Sequence, residues 1–198
     1  GGAAGPADWS AGPEASAAMA RELAERDRAM RERLVPLVHL FLSPSRFLRE
    51  RFVEWGIPAE RIRYVRTGID LEHFGEGVRT PSTGRLRVAF IGTIAPHKGV
   101  HLLLDAWDRL PSDVRARAQL ELIGSTQYPA DYVQEVRRRA RAAGVTLRPP
   151  VPREAVADEL RSIDLLVVPS LWYDNSPLVI IEALAVRTPR LVSAIGGM

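Results

Sequence analysis

The chain has 198 residues, 46% of them hydrophobic and 26% charged, which is typical of a soluble globular protein with one domain or slightly more. Its formal net charge of +3 comes from well-mixed acids and bases without a basic stripe, which argues against a nucleic-acid partner. The absence of cysteine excludes disulfides, thiolate metal sites and a cysteine nucleophile, and no apolar run reaches the ~18 residues of a membrane span.

The first third of the chain predicts a loop, two helices and a short strand. Residues 1–13 are rich in Gly, Ala and Pro, a composition typical of loops, and they lack the order of charged and apolar residues found in a signal peptide. Apolar residues at helical spacing predict a helix over 14–34, and the apolar run 37–42 predicts a strand. Ser45 has the position of an N-cap for a helix that ends at Trp55.

A domain boundary is expected near the middle of the chain. Residues 62–70 predict a strand that runs into a turn. Segment 75–84 follows, with three glycines, a proline and no large apolar residue except Val78. We therefore divide the chain into residues 1–74 and a second domain over 85–198.

Strands and helices alternate regularly in the second domain. Its strands are continuously apolar and each is followed by a helix, which predicts a doubly wound, Rossmann-like α/β fold with a parallel sheet covered on both faces. The predicted strands are 87–92, 119–124, 145–149, 163–170 and 189–194, and the predicted helices are 99–110, 129–143, 153–162 and 177–186. Such sheets bind ligands beyond the carboxyl ends of their strands, so the strand-to-helix corners are the candidate sites.

The corner GTIAPHKG, residues 92–99, contains an unusual choice of cation. Lysine and arginine together number 27 in this chain, and Lys98 is the only lysine among them. A compact ammonium group suits phosphate binding as a point charge, whereas a guanidinium favours planar two-point contacts. The plain alternative is a solvated lysine on a surface loop.

The corner DNSPLVIIEALA, residues 174–185, combines a helix start with two acids. Ser176 and Pro177 predict an N-cap and first helical residue, and the free amides of a helix start suit a phosphate. Glu182 lies among apolar residues, where a buried carboxylate needs partners such as a ribose diol, a nearby arginine or backbone amides. Asp174 on its own is typical of a turn.

This corner resembles the E-x7-E motif of family 4 glycosyltransferases of the GT-B fold, with Asp174 and Glu182 in the acidic positions. FIGTIAPHKGVHLLLDAW resembles that family's glycine-to-lysine loop, and IGGM resembles its terminal Gly-Gly loop. FLSPSRFLRERFVEWGIPAERIRYVRTGIDLEHF resembles the end of the acceptor domain and the interdomain linker. The resemblance covers roughly residues 37–198 in family order. It implies that 85–198 is the nucleotide-sugar-binding half of a GT-B protein, truncated at its C-terminus and so incomplete, and that 1–74 comprises the end of the acceptor-side domain and the interdomain linker.

The resemblance also implies a site for a nucleotide-diphospho-sugar donor. Lys98 and the helix-start amides would bind the diphosphate, Glu182 the ribose and Asp174 the donor sugar, and these three side chains would be catalytic. Residues near Arg148 would meet the base. Thr93 stands where many relatives have a second diphosphate-binding arginine. The implied donor-binding residues are Gly92, Thr93, Lys98, Arg148, Val151, Asp174, Asn175, Ser176, Pro177, Leu178 and Glu182.

The implied activity is retaining sugar transfer to a carbohydrate, lipid-linked or small-molecule acceptor, with no cofactor. The histidines, His39, His73, His97 and His101, form no recognisable cluster with the acids, so we expect no metal site. A cytoplasmic protein is expected, with peripheral attachment at the membrane as the alternative. A GT-B nucleotide-sugar epimerase and a non-catalytic nucleotide-binding module remain open as alternatives, and the length suggests a fragment of a longer enzyme.

Overall fold

The computed structural model describes residues 13–75, 77–80, 82–127 and 130–198. The loop expected at 1–13 therefore lies outside the described residues, apart from Pro13. Contacts divide the chain into two compact units. One comprises the described residues up to Leu42 together with Glu50–Arg63, and the other comprises Ser43–Arg49 and Tyr64–Met198.

The first unit begins with a long helix. Helix α1 spans Pro13–Ala29 and continues through a wider π-helical stretch, Met30–Leu34, into a 3-10 turn, Val35–Leu37. The prediction of a helix over 14–34 is thus confirmed. The strand expected over 37–42 is wrong at its start, because the Arg61 guanidinium binds the carbonyl oxygens of Val35 and Val38 and holds the 3-10 turn.

The following helix has the predicted bounds. Helix α2 spans Arg46–Trp55, and the Leu48 N–H donates to Ser45 Oγ over 3.1 Å, which confirms the N-cap. Two short strands, β1 (Phe41–Ser43) and β2 (Ile62–Tyr64), pair in a two-stranded sheet. The strand expected over 62–70 is only three residues long, because its partner strand β1 also has only three residues.

The second unit contains a five-stranded parallel sheet, as predicted. Its strands lie in the order β5-β4-β3-β6-β7, which is the doubly wound Rossmann order. They are β3 (Leu86–Ile91), β4 (Ala118–Ile123), β5 (Thr146–Arg148), β6 (Leu165–Val168) and β7 (Arg190–Val192). The helices of this unit are α3 (Leu71–Gly75), α4 (Val100–Asp108), α5 (Ser112–Ala116), α6 (Ala130–Ala142), α7 (Val156–Arg161) and α8 (Leu178–Ala185).

Helices cover both faces of this sheet. Residues of α4 and α6 form one buried cluster with Phe90 and Leu122 of the strands. Residues of α3, α7 and α8 form a second cluster with Leu166, and Phe74 of α3 is only 1% exposed. This two-sided burial explains why the strands are continuously apolar. The two short helices α3 and α5 were not predicted.

The segment around the expected domain boundary belongs to the second unit and packs within it. The Arg79 guanidinium donates to the Ile163 carbonyl over 3.1 Å, and the Thr80 N–H donates to the Arg161 carbonyl over 3.2 Å. The Ser82 N–H donates to the carboxylate of Asp164. The assignment of 1–74 and 85–198 to two domains of a larger enzyme stays a prediction. None of the helices within the described ranges is long and apolar enough to cross a membrane.

Candidate functional site

The candidate site lies where the strand order of the sheet reverses. From β3 the chain passes to β4 and β5 on one side and then crosses to β6 on the other side of β3. The corners after β3 and β6 therefore face each other across the usual ligand crevice of this fold. They are in contact, because the His97 carbonyl accepts hydrogen bonds from Leu171 N–H at 2.9 Å and from Ser170 Oγ at 3.2 Å.

Gly99 allows the two corners to approach this closely. It has a left-handed backbone with φ of 70°, and a Cβ atom at this position would lie 1.9 Å from the Pro169 carbonyl oxygen. Only glycine satisfies both conditions without strain. Because Gly99 directly follows Lys98, the same contact fixes where the lysine side chain begins.

Lys98 and Asp174 meet across this crevice. The Lys98 Nζ atom lies 2.9 Å from each carboxylate oxygen of Asp174. Ser170 Oγ donates a third hydrogen bond to Asp174 Oδ2 at 2.9 Å. Both charged side chains are partly exposed, at 27% and 18%. The arrangement places one cation and one anion, held by a neighbouring hydroxyl, at the mouth of the crevice.

The glycine loop at 196–197 packs against the corner that contains Asp174. The Gly197 N–H donates to the Asp174 carbonyl over 2.7 Å. A Cβ atom on Gly197 would lie 1.9 Å from the Asn175 carbonyl oxygen, so the close packing of the two loops requires glycine there. The sequence IGGM thus lies next to Asp174, although it is more than twenty residues further along the chain.

Helix α8 begins one residue later than expected. Pro177 occupies the N-cap position with φ −61° and ψ 118°, and no side chain caps this end of the helix. Ser176 is therefore not the N-cap and Pro177 is not the first helical residue, because the backbone turns helical only at Leu178. The first backbone N–H groups of α8, which have no partner within the helix, lie just after the Asp174 corner.

Glu182 is paired with an arginine. Its side chain is 6% exposed, and Oε1 accepts a hydrogen bond from Arg153 Nη1 at 3.1 Å. The Arg153 side chain, at the start of the corner that leads into α7, is 62% exposed. Of the partners expected from the sequence, which were a ribose diol, an arginine and backbone amides, this structure contains the arginine. The apolar surroundings of Glu182 indicated that it needs a partner, but no sequence pattern singled out Arg153.

Arg148 belongs to a partly buried ionic cluster that the sequence did not reveal. Its Nη1 atom donates to Glu121 at 2.8 Å and to Glu159 at 2.7 Å, and Arg87 binds the same two carboxylates. Burial raises the pKa of the Glu121 carboxyl, but hydrogen bonds from Arg87 and Arg148 outweigh it and hold that pKa below its usual value. The same balance, with Arg148 as the stronger donor, lowers the pKa of Glu159. We call these four residues the ionic cluster.

The remaining predicted residues lie at the same ends of the strands. Gly92 and Thr93 open the corner after β3, and Thr93 is exposed. Val151 packs at the margin of the α7–α8 core. Asn175 and Leu178 are exposed beside Asp174. The guanidinium of Arg148 is bound within the ionic cluster, so any part of this residue in base binding stays a prediction, as do the other donor contacts.

Two further contacts at this site were not anticipated. Ser170 supports Asp174, as described above. The ring of Tyr173 stacks on Phe47 with centroids 5.2 Å apart and an interplanar angle of 17°. Within the described ranges, no three His, Cys, Asp or Glu side chains gather closely enough to hold a metal ion.

Comparison with curated proteins points to glycosyltransferases. The profile of the family described as Glycosyl transferases group 1 matches residues 78–198. The D-inositol 3-phosphate glycosyltransferase of Geodermatophilus obscurus is 33% identical over 165 residues, covering 76% of this chain and 36% of the relative. That of Mycobacteroides abscessus is 36% identical over 146 residues, covering 70% of this chain and 32% of the relative. The chain thus spans about a third of the length of these relatives.

Solved structures share the fold at low sequence identity. A glycosyltransferase from Rickettsia africae matches with a TM-score of 0.73 at 14% identity, over 87% of this chain and 48% of that one. The Anabaena protein HepE, solved in complex with UDP-glucose, matches with a TM-score of 0.68 at 21% identity, over 80% of this chain and 46% of that one. These matches identify the fold as part of a GT-B architecture. Together with the profile match, they lead to one conclusion: the chain belongs to the Glycosyl transferases group 1 family.

Proposed function

We propose that this chain binds a nucleotide-diphospho-sugar and supplies the donor side of a retaining glycosyltransferase. The observation that carries the proposal is the convergence of Lys98, Asp174 and the start of α8 at the switch point of the sheet, with Glu182 one turn further along the same helix. Family membership supports the reaction class. The acceptor is unassigned, because the chain spans about a third of its relatives.

Each polar group of the site matches one part of such a donor. Lys98 and the first amides of α8 supply positive charge for the diphosphate. Glu182 is a carboxylate acceptor for ribose hydroxyls, and Asp174 is an acceptor for hydroxyls of the sugar. The corner after β5, which contains Val151, then lies towards the base.

In the proposed reaction an acceptor hydroxyl bonds to the anomeric carbon while the bond from that carbon to the phosphate oxygen breaks. The hydroxyl proton passes to the departing diphosphate, and the new bond forms on the same face of the sugar. Negative charge develops on the leaving group. Lys98 and the helix amides, fixed in advance by the packing of the corners, stabilise that charge as it appears.

A nucleotide-binding panel tests the proposal. Thermal unfolding of the polypeptide is measured with UDP, ADP, GDP and their glucose derivatives, and again with Lys98→Ala and Glu182→Ala. We expect at least one ligand to raise the Tm of the parent, and each substitution to reduce or abolish that rise. Equal stabilisation of the parent and both variants would show that the ligand binds elsewhere.

A product assay with the nucleotide sugars that bind separates the alternative functions. An epimerase converts the sugar while the nucleotide stays attached, whereas a transferase releases free nucleoside diphosphate when an acceptor is supplied. Binding without release, even when the longer protein transfers sugar, would indicate that the chain acts as the donor-binding part alone. The coverage of about a third of the relatives is the observation that favours this second possibility.

A further inference from the structure

The negative charge of a bound diphosphate requires more positive charge than Lys98 alone supplies. Lys98 is paired with the carboxylate of Asp174, so this pair brings no net positive charge to the site. A nucleotide-diphospho-sugar brings about one negative charge on each of its two phosphates. Resting on the proposed function, the question is which side chain supplies a second cation for the diphosphate.

The arginine of the neighbouring corner is bound elsewhere. Arg148 lies between the carboxylates of Glu121 and Glu159, and these charge-assisted hydrogen bonds raise its pKa. Withdrawing it would leave two largely buried acids with one fewer cation, which is strongly unfavourable. Arg148 is therefore a structural cation of the ionic cluster and not a candidate for the diphosphate.

Arg153 has the properties that Arg148 lacks. Its Nη1 atom touches Glu182, the proposed ribose ligand, at 3.1 Å, and 62% of its side chain faces solvent. A guanidinium carries five N–H donors in a planar fork, so it can contact a carboxylate and a phosphate together. In a nucleotide whose ribose lies on Glu182, the diphosphate is only a few bonds from the ribose hydroxyls. The charge of Arg153 is thus within reach of it.

We infer that Arg153 is the second cation of the diphosphate site. It remains beside Glu182, where it neutralises the largely buried carboxylate, and its guanidinium also contacts the phosphate nearer the ribose. Lys98 then contacts the phosphate nearer the sugar, beside Asp174. Arg153 therefore links the ribose and diphosphate parts of the site. Its contribution to binding affinity increases with the phosphate charge of the ligand.

Binding of UDP and of uridine to Arg153→Gln tests this role. Glutamine keeps a hydrogen-bond donor near Glu182 and removes the charge. We expect the UDP affinity to fall by about tenfold, while the uridine affinity changes by less than about twofold, because only UDP carries the phosphates. Arg153→Lys keeps the charge and should retain UDP binding within about threefold. Arg141→Gln, an exposed arginine of α6 on the opposite face of the sheet, controls for net charge.

The outcomes separate this inference from the proposed function. Equal losses of UDP and uridine binding in Arg153→Gln would mean that Arg153 only positions Glu182, and would overturn the inference while leaving the proposed function standing. If the parent protein binds neither UDP nor uridine at any nucleotide or salt concentration, the proposed function is contradicted for a uridine donor. The inference is then contradicted with it. A fall in the salt dependence of UDP binding in Arg153→Gln alone would support the inference.

Discussion

Lys98 and Asp174 form a close ion pair, with Nζ 2.9 Å from both carboxylate oxygens. The cation proposed for the diphosphate is therefore partly neutralised by the acid proposed for the sugar. Any anion that binds Lys98 must share it with Asp174. For UDP, which lacks the donor sugar, the loss of Lys98 and the loss of Asp174 should therefore have opposite effects on affinity. For a nucleotide sugar, both losses should weaken binding.

The first prediction follows from this competition. Asp174→Asn removes a negative charge beside Lys98, so UDP should bind about threefold to tenfold more tightly. Lys98→Met removes the cation and leaves the Asp174 carboxylate unneutralised, so UDP should bind at least tenfold more weakly. Titration calorimetry of both variants with UDP measures the two changes. Weaker UDP binding in Asp174→Asn would contradict the competition.

The second prediction concerns Glu182 and the ribose. Glu182→Gln removes the charged acceptor and should weaken UDP binding about tenfold, in the range of a hydrogen bond to a charged group. Binding of 2′,3′-dideoxy-UDP, which lacks both hydroxyls, should change by less than twofold. Calorimetry with the two nucleotides on parent and variant completes a double-mutant cycle. A loss of similar size for both nucleotides would remove the ribose from the role of Glu182.

The third prediction concerns the glycine that joins the two corners. Gly99→Ala places a Cβ atom 1.9 Å from the Pro169 carbonyl oxygen in a left-handed backbone, so we expect a loss of roughly 3 kcal/mol in the free energy of unfolding. Gly144→Ala is the matched control. Its φ is also left-handed, at +68°, but no atom lies within 4 Å of the added Cβ, so only about 1–2 kcal/mol should be lost. Equal losses in urea denaturation would mean that backbone conformation, and not the contact between corners, determines the cost.

The fourth prediction concerns the ionic cluster and acid. The pKa values of Glu121 and Glu159 lie below their usual value of 4.5 in the folded protein. Their ionic bonds therefore contribute stability fully above about pH 4.5, and that contribution is lost as the pH falls through the lowered values. We expect the variant with both acids replaced by glutamine to have a lower Tm than the parent at pH 7. Below pH 4.5 the Tm of this variant should depend less on pH than the Tm of the parent does. A parallel acid dependence in parent and variant would assign the loss to other groups.

Much of the fold followed from two simple patterns in the sequence. Continuous apolar strands, each followed by a helix, indicated the parallel sheet, and the glycines after 91 and 123 marked two strand ends. The helices α3 and α5 were missed because five residues are too few to show a helical period. Only the start of the first apolar run was misread as a strand, because the guanidinium that holds the carbonyls there lies more than twenty residues away.

The candidate site was predictable in its residues but less so in its pairings. The lone lysine and the acid inside an apolar helix stood out by type, and the chain order placed both at strand ends. Which cation meets which acid depends on side chains from different corners, so Arg153 and Ser170 carried no signal of their own. The acid in the apolar strand QLELIG was a missed signal, since a buried Glu121 requires cations such as Arg87 and Arg148.

A protein with a single lysine has a single ε-amino group, and here that group lies at the proposed diphosphate site with part of its surface open to reagents. Acylation with an amine-selective probe would therefore modify this position and the amino terminus alone. A fluorophore or isotopic tag could be installed beside the crevice without any substitution. Protection of the amine by a nucleotide sugar would then serve as a direct occupancy assay, read by mass spectrometry.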